Sequence, residues 1–250
     1  AGNAGYGIVT ALTLRIYPIP KIVTTVLFLN QLGNNFHRNL TFIINISAKS
    51  PIHVRGIYLG SANELQPLVQ EYIELTKPTS VTYEEGDLYS IIIKNADSSN
   101  VTGSFKVKSF FIDSTGLSNK GAKYLMRFVD SFKCSMAFEL MLTGGGRVND
   151  IRRNETAFVH RGFLFNIVLK VTISSEKCLQ DLENFAKHFQ KNYASYENYQ
   201  NLIDKKLDNW QCRYYSENFE RLVEVKRKYD PYNLFHWNQS IPTNTDVTCY

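Results

Sequence analysis

Tyr199 stands in the run Tyr196-Glu197-Asn198-Tyr199-Gln200-Asn201, a phenol between amides. A phenol takes a proton near neutral pH only where cations or hydrogen-bond donors surround it. Lys191, Lys205, Lys206 and Arg213 are near it in the chain and are candidates for that part. Upstream, His160-Arg161 precedes an apolar run and pairs a possible general base with a cation. Two glycine-rich stretches, Gly2-Asn3-Ala4-Gly5-Tyr6-Gly7 and Gly144-Gly145-Gly146, allow close approach of backbone amides to a ligand. The second does not lead into a Lys-Ser/Thr helix, so it reads as a flexible turn and not as a P-loop.

Cys134, Cys178, Cys212 and Cys249 are widely separated and form no Cys-x-x-Cys pair, which argues against zinc and against a thioredoxin-type site; no metal is expected. One or two disulfides are compatible with them, and four cysteines allow three full connectivities. Sequons begin at Asn39, Asn45, Asn100, Asn154 and Asn238. Together these features lean towards an extracellular glycoprotein. The net charge of +5 is not gathered into a block; Lys226-Arg227-Lys228 is the densest run and belongs to a helix end, so nucleic acid is not expected as a partner. No apolar stretch is long enough for a membrane helix, and no membrane partner is expected. With 44% hydrophobic and 20% charged residues over 250 positions, the composition is that of a globular protein with a large core.

The elements that must position these residues follow from periodicity. Strands are expected at residues 7–18, ending at Pro18, and at Val23–Asn30, Thr41–Lys49, Val54–Leu59, Leu88–Lys94, Phe105–Ile112, Met136–Leu142 and Phe163–Ile173. Helices are expected after an Asn63 cap, over Ser118–Phe132, and through Leu179, Leu182, Phe185, Ala186 and Phe189. A last helix places Phe219, Leu222, Val223 and Lys226 on one stripe, with Ser216 as its cap and Asp230-Pro231 as its stop. Strands and helices do not alternate as βαβ units. The expected class is α+β, a large, mainly antiparallel sheet with helices packed on one face.

The carboxyl-terminal string Tyr214 to Phe235, followed by Gln239-Ser240-Ile241-Pro242, resembles the closing signature of the berberine-bridge-enzyme-like FAD-linked oxidases. Thr156-Ala157-Phe158-Val159-His160-Arg161 is similar to that family's Thr-Ala-Phe-Pro-His-Arg, with Val159 for Pro. Tyr196 to Asn201 is similar to its Tyr-x-Asn-Tyr-x-Asp, with Asn201 for Asp. The run from Gly2 to Thr10 is similar to its glycine-rich approach to the substrate domain, with Gly5 where Asn is usual.

The resemblance implies a division into residues 1–20 (the end of an FAD-binding domain), 21–192 (a substrate domain) and 193–243 (the berberine-like segment, whose helix and tail return to the FAD domain). It implies FAD as cofactor, a small-molecule substrate, dioxygen as acceptor, and an amino-terminal FAD domain as the partner that these residues lack; the chain reads as beginning inside a domain. Tyr199 takes the place of the catalytic base. Phe165 and Val168 fall at substrate-contact positions, Val168 replacing a polar residue. Gly5, Tyr6, Gly7, Ile8, Val9, Asn198 and Asn233 fall at cofactor contacts. The alternative is a flavin-free remnant acting as a secreted binding module.

Overall fold

Residues 5–18, 20–28, 37–46, 52–95, 105–134, 136–142 and 144–249 are described by the structure, a computed structural model. Seven antiparallel strands form one sheet in the order β4-β1-β3-β2-β6-β7-β5. They are β1 (Val23–Phe28), β2 (Leu40–Ile46), β3 (His53–Tyr58), β4 (Val81–Gly86), β5 (Phe105–Asp113), β6 (Met136–Leu142) and β7 (Phe163–Thr172). Between them run α1 (Ala62–Thr76), α2 (Leu88–Asn95), α3 (Asn119–Ser131) and the short α4 (Gly146–Asp150). After β7 come α5 (Glu176–Tyr193), α6 (Trp210–Tyr215), a 3-10 turn at Ser216–Asn218 and α7 (Phe219–Tyr229). The fold is α+β.

Strand β7 shows how the sheet sorts its faces. Phe165, Ile167, Leu169 and Val171 alternate into a core with Leu65 and Val69 of α1, Leu125 and Val129 of α3, and Leu182, Phe185 and Phe189 of α5. Each such side chain, fully buried, contributes about 2 kcal/mol of transfer free energy. A second, smaller core gathers Tyr214, Tyr215, Phe219, Leu222, Val223 and Ile241, and Tyr6 packs against it. Disulfides join Cys134 to Cys178 and Cys212 to Cys249.

Several expectations are corrected. Residues 7–18 are not a strand: they run irregularly and exposed, with Leu14 76% and Ile16 92% accessible, since no described strand lies beside them to take their backbone hydrogen bonds. Leu88–Asn95 is a helix. Asp87 caps it, accepting from Ser90 N at 3.0 Å, and that local start overrides the strand preference of the isoleucine run, of which Ile91 alone is buried. Strand β4 was not anticipated; it is an edge strand whose Glu84 and Glu85 interrupt the apolar pattern and keep the edge hydrophilic. Helix α1 is capped by Ser61, not Asn63, in a capping box with Glu64. Ser216 does not cap α7; it has a positive φ of 42° and ends α6. The outer parts of the expected strands at 29–30 and 47–49, and Asn100, lie outside the described residues.

Candidate functional site

The segment from Ser195 to Asn201 crosses the edge strand β5 and is stitched to it. Ser195 N donates to Phe111 O at 2.9 Å, and Tyr199 N donates to Ser109 Oγ at 2.8 Å. Asn198 Nδ2 donates to Ser109 O and to Gln190 Oε1, while its own Oδ1 accepts from Arg213. Both Nδ2 hydrogens of Asn198 are thus used within the protein and anchor the crossing, while its Oδ1 keeps a second lone pair. Tyr199 stands edge-on to Phe111 and Phe158, with ring centroids 6.3 and 6.1 Å away, and its hydroxyl oxygen accepts from Asn201 Nδ2 at 2.8 Å.

Val168 is the cross-strand partner of Ser109, and Asn166 of Phe111, so these four share the sheet face over which Tyr199 is tethered. Phe165 does not. It belongs to the helix-side core, three residues and hence an opposite face from Val168, and its expected substrate contact is withdrawn.

His160 is fully enclosed. Its ring stacks on Phe111 with centroids 4.3 Å apart, Nδ1 lies 2.8 Å from Glu197 Oε2, and Nε2 lies 3.0 Å from Gln200 Oε1. The network continues outward: Glu197 accepts from Arg153, and Arg153 forks onto both oxygens of Glu217 at 2.6 and 2.8 Å. Burial pushes the Glu197 carboxyl up, but the bonds from His160 and Arg153 outweigh it and hold the group below the usual carboxylate range. The Arg153 bond holds Glu217 down to about 2. Arg161 turns the other way, donating to Val148 O and Thr156 Oγ1 and covering Phe158. So the adjacent His-Arg pair is split between two jobs. A cleft of about 500 Å³ opens beside this network, between Phe111, Arg153, Arg161, Tyr196 and Glu217. Glu197, Arg153, Glu217 and Gln200 were not singled out in the sequence.

A second locus forms where Gly5 and Tyr6 meet the turn after α7. Lys226, fully buried, donates to Gly5 O, Asp230 Oδ2 and Phe235 O. Asp230 accepts further from Leu234 N and Phe235 N. A Cβ at position 5 would meet the Trp237 ring at 3.4 Å, in van der Waals contact. Around this clip, Tyr6 Oη, Asn233 Oδ1, Trp237 Nε1 and Gln239 Oε1 are buried without a hydrogen-bond partner, and Asn233 holds a left-handed φ of 52°. Buried polar atoms without a partner are rare in folded proteins, and four of them lie in Tyr6 and the tail from Asn233 to Gln239. Of the expected cofactor contacts, the structure brings Gly5, Tyr6 and Asn233 together here, while Gly7, Ile8 and Val9 lead away, the last two 79% and 68% exposed. Among the described residues no cluster of three His, Cys, Asp or Glu side chains is placed to hold a metal.

Residues 198–242 match the family model "Berberine and berberine like", and the chain is similar to berberine bridge enzyme-like proteins. It is 27% identical, over 96% of its length and 58% of the relative's, to an uncharacterized FAD-linked oxidoreductase YvdP of Bacillus subtilis (strain 168). It is 28% identical to the monolignol oxidoreductase AtBBE-like 13 of Arabidopsis thaliana, covering 98% of this chain and 55% of that one. The solved structure of Physcomitrella patens BBE-like 1 shares the fold, with a TM-score of 0.82 at 24% identity over 93% of this chain and 56% of the other. The chain thus spans a little over half the length of the curated relatives it matches.

Proposed function

We propose that this chain is the substrate-side and carboxyl-terminal part of an FAD-dependent oxidoreductase that removes a hydride from an alcohol, sugar or related small molecule, with dioxygen as the final acceptor. The observation that carries the reading is the Tyr199 phenol, tethered through Ser109, Asn198 and Asn201 over the sheet face that bears Val168. The names of the relatives favour this enzyme over a flavin-free remnant.

The orphaned atoms of Tyr6, Asn233, Trp237 and Gln239, beside the close approach at Gly5, fit a polar cofactor, and these residues would hold FAD together with an amino-terminal domain. When bound, FAD supplies a two-electron acceptor for the hydride. Tyr199 Oη, as the phenolate, would receive the proton of the substrate hydroxyl and become the phenol. Asn201 fixes that oxygen by donating to it, and Phe111 and Phe158 flank the half-buried ring. Val168 offers no hydrogen bond, which favours a substrate with an apolar body, in line with the monolignol of the Arabidopsis relative's name. The paired cysteines and the exposed sequon residues Asn39, Asn154 and Asn238 support a secreted glycoprotein.

The test is an absorbance spectrum of the purified 250-residue chain after incubation with excess FAD and gel filtration. Flavin bands that stay with the protein peak support the reading. Bands that separate from it place the cofactor contacts elsewhere.

A further inference from the structure

His160 is a buried titratable group that the proposed chemistry leaves unused. Its side chain is fully enclosed, and an imidazole is costly to bury unless its nitrogens are partnered. Both are: Nδ1 reaches Glu197 at 2.8 Å and Nε2 reaches Gln200 at 3.0 Å. The bonds from His160 and Arg153 hold Glu197 ionised, so Nδ1 carries a proton and donates it. In the chain these two partners bracket Asn198-Tyr199. The ring is wedged between two aromatics, stacked on Phe111 with centroids 4.3 Å apart and edge-on to Phe158 at 5.1 Å. The same two rings flank Tyr199. His160 therefore touches a side chain on either side of Tyr199 in sequence and both rings beside it in space. That matters because residues 195–200 are neither helix nor strand. No ladder of backbone bonds sets their shape, so side chains must do it. The bonds from Tyr199 N to Ser109 Oγ and from Asn198 to Ser109 O fix the middle of the crossing, and His160 fixes its flanks.

We infer that His160 is a positioning residue for Tyr199: it clamps Glu197, Gln200, Phe111 and Phe158 together so that the phenol keeps one orientation over the sheet face. The consequence rests on the oxidoreductase reading above, since the place of a base matters where a proton is passed. There a displacement of about 1 Å costs on the order of a hundredfold in rate. A histidine that merely filled the interior would act differently. Its loss would weaken the whole fold and leave Tyr199 where it is.

The experiment is NMR on the 250-residue chain, isotope-labelled in its tyrosine rings and backbone amides, without flavin. The Tyr199 ring signal is the one that Tyr199→Phe removes. His160→Phe keeps a ring between Phe111 and Phe158 and deletes both polar bonds. Val129→Ala, in the helix-side core, is the control for a general loss of stability. In His160→Phe the Tyr199 ring signal should shift and broaden. Protection of the Tyr199 amide in hydrogen exchange should fall by about tenfold, the worth of one net hydrogen bond. The amides paired between β6 and β7 should keep theirs, and Val129→Ala should leave the Tyr199 signal in place. The inference is overturned by a Tyr199 signal and amide unchanged in His160→Phe, by β6 and β7 amides that lose as much protection as Tyr199, or by an equal shift in Val129→Ala. If His160→Phe does not fold, Gln200→Leu, which removes the partner of Nε2 alone, takes its place and the same outcomes decide. FAD retention by the wild type, measured apart, separates the two claims. Flavin lost with the Tyr199 response intact leaves the role of His160 standing without the oxidoreductase reading, and flavin held without the response does the reverse.

Discussion

Lys226 Nζ donates to the carbonyl of Gly5, a residue 221 positions away, and through that bond the last helix holds the first described turn. The ammonium also reaches Asp230 and the Phe235 carbonyl, so its three donors are all used. Lys226→Met keeps the stem and removes all three bonds, leaving Asp230 buried without its cation. The expected outcome is a melting midpoint lower by about 5 °C or more, together with loss of protection in hydrogen exchange of the Leu234 and Phe235 amides that donate to Asp230. An unchanged midpoint would show that the clip contributes nothing to the fold.

Glu217 carries a pH dependence whose sign is fixed by its shift. Its carboxyl is held down to about 2 from an ordinary 4.5. A carboxylate lowered in the folded state adds stability that is complete above its unfolded value and is lost as pH falls through the folded one. The chain should therefore lose stability between roughly pH 5 and pH 2, and Glu217→Gln should flatten that part of the curve while lowering stability at pH 7. Urea midpoints measured at several pH values decide it. A variant with the wild-type acid slope would remove Glu217 from the account.

Phe165 and Val168 are predicted to separate stability from ligand contact. Phe165→Ala opens the helix-side core and should cost about 3–5 kcal/mol in denaturant unfolding. Val168→Gln, on the other face, should alter ligand preference. Since Val168 is buried as well, stability alone does not separate the two; a ligand preference moved by Phe165→Ala and not by Val168→Gln would contradict the facing of β7 described above.

Tyr199→Phe deletes the hydroxyl to which Asn201 donates, leaving the ring between Phe111 and Phe158. In the flavin-loaded protein, kcat should fall by roughly a hundredfold or more, the usual contribution of a positioned base, with KM little changed. A kcat within a few-fold of wild type would assign the proton transfer to another group.

How far the sequence revealed this arrangement depended on how locally each feature is encoded. Helices α3, α5 and α7 were legible because a single apolar stripe on each meets the core. The face of β7 was misread: positions 165 and 168 are three apart, a strand places residues on one face only at even spacing, and the two cannot both face the substrate. Helix α2 was not legible either, because Asp87 starts it and a run of three isoleucines argues for the opposite state. The network from His160 to Glu217 could not be read at all. Its members lie at positions 153, 160, 197, 200 and 217, and only the crossing of β5 by the 195–201 segment brings them together. His160-Arg161 looked like one unit, yet the backbone turns the two side chains to different partners.

The Cys212–Cys249 bond makes residues 212 to 249 a covalent ring that contains all of α7 and the turn beyond it. The most accessible aromatic in that ring is Tyr232, 86% exposed. A protease that cut there would sever the chain without dividing the molecule. The nicked protein would run at full mass on a non-reducing gel and fall into two pieces only when a thiol is added.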